Sequence, residues 1–256
     1  MSQRRVLLPR HVKSNWRALC AAALSLLALP AGAQHPALAA AIEARLGMAS
    51  TGKELVIRGE GLAASRVIAD FYTRRGFSPA WTRTRDVDDL LRAILESADE
   101  GLDPSDYHLA ALLRLRGVVS QAHAADVDHA DFELLLTDAI VRLGYHFWFG
   151  KVDPQALDPG WNMNRMLPGL DPAEEIAAAL ATGDLYGAIE RARPTHPLYV
   201  ELKRALAHYR RVALAGGWPE LPPGPTLEPA AVDDRVPVLR AVLAATGDLA
   251  EATSAD

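Results

Sequence analysis

The strongest constraint on this chain is its punctuation. Between residues 62 and 215, apolar side chains recur at helical spacing, and the gaps are marked by start and stop residues. Leu62, Val67, Ile68, Phe71 and Tyr72 share one helical face, and Leu90, Leu91, Ile94, Leu95 and Ala98 share another. The longest stripe is Phe132, Leu135, Leu136, Ala139, Leu143 and Phe147, and Leu198, Leu202, Leu206 and Tyr209 form the next. Asp103-Pro104, Asp153-Pro154, Asp158-Pro159 and Asp171-Pro172 mark helix starts. In such pairs the Asp carboxylate accepts from free first-turn N–H groups, while Pro removes a donor that has no partner there. Asp171 with Glu174 resembles a capping box. Gly76, Gly101, Gly150 and Gly216-Gly217 sit just past periodic segments, where helices stop. The pattern predicts a mainly α protein: a multi-helix domain with one short β-strand, a Pro-rich linker and one terminal helix.

The strand is expected in residues 53–58, where Leu55, Val56 and Ile57 form a short apolar run. The Ala-rich residues 34–50 read as a loose leading helix. Residues 218–229 hold five prolines and no periodicity, which suits a semi-rigid linker. Beyond it Val236, Leu239, Val242 and Leu243 define a last amphipathic helix. That helix either docks back on the helical body or opens a further module, because alone it has nothing to pack on.

The N-terminus reads differently. Residues 1–17 carry Arg4, Arg5, Arg10, Lys13 and Arg17 and no acid, and an apolar run extends from Ala18 to Leu29. Pro30 follows, then Ala31-Gly32-Ala33 before Gln34. A basic head, a short apolar core and an Ala-x-Ala end predict a secretory signal peptide cleaved between Ala33 and Gln34. The alternative, a segment retained as an uncleaved anchor, is disfavoured because the apolar run falls short of the roughly 20 residues that span a bilayer. Cleavage leaves 22 basic against 32 acidic residues, a net charge of −10. It also removes Cys20, the single cysteine of the 256 residues. The expected product is a periplasmic, acidic, thiol-free protein with no stable membrane span. Disulfide scaffolds, cysteine nucleophiles and thiolate zinc sites are excluded from it, and its acidity disfavours a nucleic-acid partner.

Catalytic signatures are absent: there is no His-Glu-x-x-His, Gly-x-Ser-x-Gly or Gly-x-Gly-x-x-Gly. Gly144 to Lys151 fails as a phosphate loop, since five residues separate its glycines and Val152 stands where Ser or Thr is needed. His123, Asp126, Asp128, His129 and Asp131 are the densest group of metal-ligating types, but they read as the solvated acidic start of a long helix. The adjacent acids Asp88-Asp89, Glu174-Glu175 and Asp233-Asp234 point about 100° apart on a helix and form no flanking dyad. No catalytic residue, metal or cofactor is expected. Trp81, Trp161 and Trp218 lie at turns and are candidates for stacking on sugar rings, set against the alternative that they plug helix junctions.

A series of short segments in order carries a resemblance. It runs from Phe71-Tyr-Thr-Arg-Arg-Gly-Phe-Ser-Pro-Ala-Trp81 to Gly101-Leu-Asp-Pro-Ser-Asp-Tyr-His-Leu109, then Leu136-Thr-Asp-Ala139, Gly150-Lys-Val-Asp-Pro154 and Trp161. His196-Pro-Leu-Tyr199, Ala205-Leu-Ala-His-Tyr-Arg210 and Gly216-Gly-Trp-Pro-Glu-Leu-Pro222 complete it. In this order the chain resembles the N-terminal scaffold region of the large murein L,D-transpeptidases. Asp234-Arg-Val-Pro-Val-Leu-Arg240 and Thr246-Gly-Asp-Leu249 resemble the start of the peptidoglycan-binding module that follows it in that family. The resemblance covers roughly residues 60–249.

The resemblance implies a helical scaffold in peptidoglycan cross-linking and cell-wall remodelling. In that family a later domain carries a Ser-His-Gly-Cys motif, whose cysteine attacks a stem-peptide carbonyl. No such motif stands here, so the expectation is a transferase-family part that is inactive alone. Whether it is a truncated product, a piece of a longer reading frame or a stand-alone paralogue stays open. The expected layout is a signal peptide at 1–33, a leading segment at 34–60, the scaffold domain at 61–217, the linker at 218–230 and a truncated module start at 231–256. The alternative function is a stand-alone helical periplasmic adaptor that binds peptidoglycan or an envelope protein. A hydrolase with unrecognised carboxylates is disfavoured, since no acid pair has the needed geometry.

Overall fold

The stripe at 132–147 becomes the axis of the molecule. In the computed structural model, which describes residues 35–47, 55–158 and 169–249, it lies on α5 (Asp126–Phe149), a 24-residue helix. At 1.5 Å per residue α5 is about 36 Å long, enough for most other elements to pack on it. These are α1 (Pro36–Gly47), β1 (Val56–Ile57), α2 (Ser65–Arg74), α3 (Thr84–Glu96), α4 (Leu109–Val119), α7 (Pro172–Ala181) and α8 (Leu185–Ala192). Every residue from Ala130 to Ile140 is buried. An amphipathic face predicts burial on one side only, whereas α5 is enclosed all round in its middle turns. Leu134 and Ile140, outside the predicted stripe, are therefore core residues too.

Around it, Ile68, Phe71 and Tyr72 of α2, Leu90 and Ile94 of α3, Leu112 of α4, Ile176 of α7 and Leu185 of α8 complete one core. Each such side chain contributes about 1.5–3 kcal/mol on full burial. Leu95 departs from its predicted face and is exposed.

The expectation of a loose leading helix is overturned. Ile42 of α1 is fully buried, Leu46 nearly so, and α1 packs along α5. The short strand at 53–58 proves to be half of a hairpin, β1 pairing with β2 (Glu60–Gly61) in the register Val56↔Gly61 and Ile57↔Glu60. Arg58 (φ 54°) and Gly59 (φ 87°) form its two-residue turn. Positive φ at both positions is the geometry that matches strand twist. Lys53 and Glu54 lie outside the described residues, as do Ala33, Gln34, Cys20 and Trp161.

The Asp-Pro starts behave as expected where they are described. Asp103 accepts from the N–H of Ser105 (2.9 Å) and opens the 3₁₀ turn Pro104–Tyr107. Asp153 accepts from Gln155 (3.1 Å) and opens α6 (Pro154–Leu157), while Asp171 accepts from Ala173 (2.9 Å) and opens α7. Pro159 lies outside the described residues.

The largest departure is α9 (Pro197–Leu214), an 18-residue helix with no buried residue. Leu198 and Leu202 of its predicted stripe are 63% and 61% exposed, and Tyr209 is 47% exposed. Tyr199 and Lys203 instead bond to Glu100, at the end of the 3₁₀ turn Ser97–Glu100. Residues 218–229 form neither helix nor strand, and α10 (Arg235–Thr246) rests on α9 without burying a residue. No helix among the described residues is long and apolar enough to cross a membrane.

Candidate functional site

The enclosed turns of α5 carry four buried polar side chains, Asp131, Glu133, Thr137 and Asp138. Burying a carboxylate is costly unless its oxygens are bonded, so each acid reveals what it holds. Glu133 Oε2 accepts from the Tyr72 hydroxyl (2.7 Å) and the Ala80 N–H (2.8 Å). Its Oε1 accepts from the Trp81 N–H (3.0 Å). One turn on, Thr137 Oγ1 donates to the Glu133 carbonyl (2.8 Å) and accepts from the Trp81 indole N–H (3.0 Å). Burial raises the Glu133 carboxyl above its ordinary range, against the pull of these donors. Burial, with the Glu133 charge behind it, pushes the Tyr72 phenol well up.

Asp138 is fully buried and holds two other segments. Its Oδ1 accepts from the Ala64 N–H ahead of α2 (2.8 Å), and its Oδ2 lies 2.8 Å from His108 Nε2. The other ring nitrogen of His108 lies 3.1 Å from Glu60 Oε2 on β2. His108 has φ 59° and caps α4, a strained backbone for a residue with a Cβ. The two carboxylates that bracket its ring show why the strain persists. Asp131, also fully buried, bonds Arg58 of the hairpin turn and Arg45 of α1. Arg45 Nε is 2.8 Å from Asp131 Oδ1 as an ion pair, though it is not aligned as a hydrogen bond.

A fourth acid anchors the far end. Glu100 accepts from Arg193, just past α8, and from Lys203 and the Tyr199 hydroxyl of α9. Burial pushes its carboxyl up, but Lys203, Tyr199 and Arg193 outweigh that and hold it below the ordinary range. The Arg193 guanidinium also lies 5.2 Å from the centre of the Phe147 ring on α5. Beside this anchor is a cleft of about 360 Å³, with Glu100, Phe147, Lys151 and Tyr199 in its walls.

The structure separates the three tryptophans. Trp81 is 8% exposed, with its ring in the core and its indole N–H on Thr137. Trp218 is 50% exposed and meets Tyr209 edge-on, with ring centroids 6.2 Å apart. Trp161 lies outside the described residues. The His/Asp group at 123–131 does not converge as one set. Asp131 is sealed on Arg45 and Arg58, Asp128 pairs with Arg58, and no group of three metal-ligating side chains occurs among the described residues. The reading of that stretch as wholly solvated therefore fails at Asp131, because two arginines compensate its burial. Sequence reasoning missed Glu133, Asp138, His108 and Glu100. The available signal was Asp131, Glu133, Thr137 and Asp138 interrupting the longest apolar stripe.

The fold and this interior define a helical scaffold: one enclosed helix whose buried acids tie the surrounding segments into a fixed shape. A family model described as Scaffold domain matches residues 66–206, more than half of the chain. The chain belongs to that family. No curated protein and no solved structure matches it.

Proposed function

We propose that this chain is the non-catalytic scaffold part of a periplasmic murein L,D-transpeptidase that acts in peptidoglycan cross-linking and cell-wall remodelling. The observation that carries the reading is spatial. Residues of segments distant in the chain meet in the α5 network: Tyr72 and Trp81 from the first, His108 from the second, Thr137 and Asp138 from the third. These are the segments whose order resembles the transpeptidases, and they lie within the Scaffold domain match. Residues 34–256 contain no cysteine, so the nucleophile of that chemistry comes from elsewhere. The signal-like residues 1–33 support the periplasmic location, and acidic buried groups committed to structural bonds support a supporting role.

The test incubates the purified chain with muropeptides and, separately, with protein-free sacculi. Retention on sacculi without any 3–3 cross-link is expected. Cross-links made by the chain alone, or no retention, overturns the reading. A second reading, a stand-alone adaptor, is favoured by the exposed apolar residues of α9. Adding the chain in trans to an L,D-transpeptidase catalytic domain separates the two. A changed cross-linking rate supports the scaffold, and an unchanged rate supports the adaptor.

A further inference from the structure

The C-terminal end of α9 gathers features that the scaffold role leaves unused. Gly216 (φ 104°) and Gly217 (φ 77°) turn the chain back as it leaves the helix, with the Gly217 N–H donating to the Val212 carbonyl at 2.9 Å. This return sets Trp218 edge-on to Tyr209, the two rings 79° apart and each about half exposed. Neither the Tyr209 hydroxyl nor the Trp218 indole N–H has a hydrogen-bond partner among the described residues. An exposed aromatic pair with two free polar handles is unusual, since such rings carry a large apolar area that is normally covered. Beside the pair opens a cleft of about 280 Å³ between α9 and α10, lined by His208, Arg211 and Val212 on one side and Ala245 on the other. The His208 ring in the cleft wall meets Tyr209 edge-on at 5.2 Å, and Gly217 in the same wall precedes Trp218, so the aromatic pair borders the cleft. Arg211 is exposed and makes no ion pair among the described residues, unlike Lys203 and Arg204 of the same helix.

We infer that Tyr209, Trp218 and the adjoining cleft form a binding site for a glycan that carries carboxylates. The site rests on the peptidoglycan reading above and deepens it by placing the contact. The apolar face of a sugar ring suits the exposed aromatic faces, and its hydroxyls suit the free phenol and indole groups. Arg211 supplies the cation for a carboxylate on the sugar or its peptide. A membrane surface fits less well, because one guanidinium beside two aromatics, bonded only to the Ala207 carbonyl and with no carboxylate partner among the described residues, offers little against an anionic bilayer.

Calorimetric titration of the full chain with a disaccharide-tetrapeptide muropeptide tests the site, with chitotetraose as the uncharged glycan. Trp218→Ala and Tyr209→Ala are each expected to weaken muropeptide binding about tenfold or more, while Trp218→Phe retains most of it. Arg211→Gln is expected to abolish the preference for muropeptide over chitotetraose. Unchanged melting temperatures would show that these exposed substitutions leave the fold intact. If sacculi retain both Ala variants as well as the parent, the site is wrong and the peptidoglycan reading stands. If the parent binds neither sacculi nor muropeptide, both fail. Binding to anionic lipid vesicles that depends on Trp218, without muropeptide binding, overturns the glycan assignment in favour of a membrane.

Discussion

Glu133 shows how much one residue can hold. Its two carboxylate oxygens receive Tyr72 from α2 and the N–H groups of Ala80 and Trp81 from the loop before α3. Removing the acid strands the buried Ala80 and Trp81 N–H groups and leaves the Tyr72 hydroxyl with Thr137 Oγ1 at 3.0 Å. Each unsatisfied donor costs about 1–3 kcal/mol, and the emptied side-chain volume adds to that. Glu133→Ala should therefore destabilise the protein by about 3 kcal/mol or more in urea unfolding. Thr137→Val, which keeps the shape but orphans the Trp81 indole N–H, should cost about 1–2 kcal/mol. A Glu133→Ala loss below that of Thr137→Val would show that the carboxylate does not organise the loop. These partners could not be read from sequence. The stripe at 132–147 was legible because apolar spacing repeats locally. Glu133 and Asp138 fall on the other faces of the same helix, where a polar residue ordinarily means solvent. Only the helices packed on every side of α5 make those faces interior.

At the scale of elements, α9 is the instructive case. Its period was legible but its direction was not, because periodicity states that a face is apolar and not what covers it. The body holds α9 through polar bonds, Glu100 to Tyr199 and Lys203, more than through its leucines. Leu198→Ser with Leu202→Ser should thus cost under about 0.5 kcal/mol, the range for exposed sites. Leu135→Ala on α5, a fully buried position, should cost about 2–5 kcal/mol. Equal losses would place the α9 stripe inside. The Glu100 anchor also gives α9 a pH dependence. Its carboxyl is held below the ordinary value of 4.5 in the folded protein. Its contribution is therefore complete above the unfolded value and is lost as pH falls through the lower, folded one. Amide exchange in α9, compared with that in α5, should accelerate as pH drops below about 4.5, the ordinary value from which folding lowers it. In Glu100→Gln α9 should exchange faster already at pH 7, with that acid-dependent component gone. A wild-type ratio that stays flat down to pH 3 would contradict the anchor.

The whole molecule divides by burial rather than by chain order. From Ile42 to Ile189 buried residues recur in each α-helix except α6, whereas α9, α10 and the chain between them have none. Composition hinted at this, since the five prolines after Trp218 leave no periodic face to bury. It did not show whether the last helix joins the core, because α10 has a fair apolar face and the decision belongs to the surface it meets. That surface is α9, itself held from outside the core, and the contact includes one His208–Thr246 bond of 2.9 Å. Cooperative stability should then reside in residues 35–192, with the C-terminal part opening separately at low free energy. Ending the chain at residue 217 should lower the melting temperature by no more than about 2–4 °C, the equivalent of roughly 1 kcal/mol in a domain of this size. Ending it before Glu190 removes Arg193 and leaves Glu100 buried without its guanidinium, and should cost several times more. Calorimetry of the two truncations decides the matter. Similar losses from both would mean that α10 belongs to the cooperative core, despite burying nothing of its own.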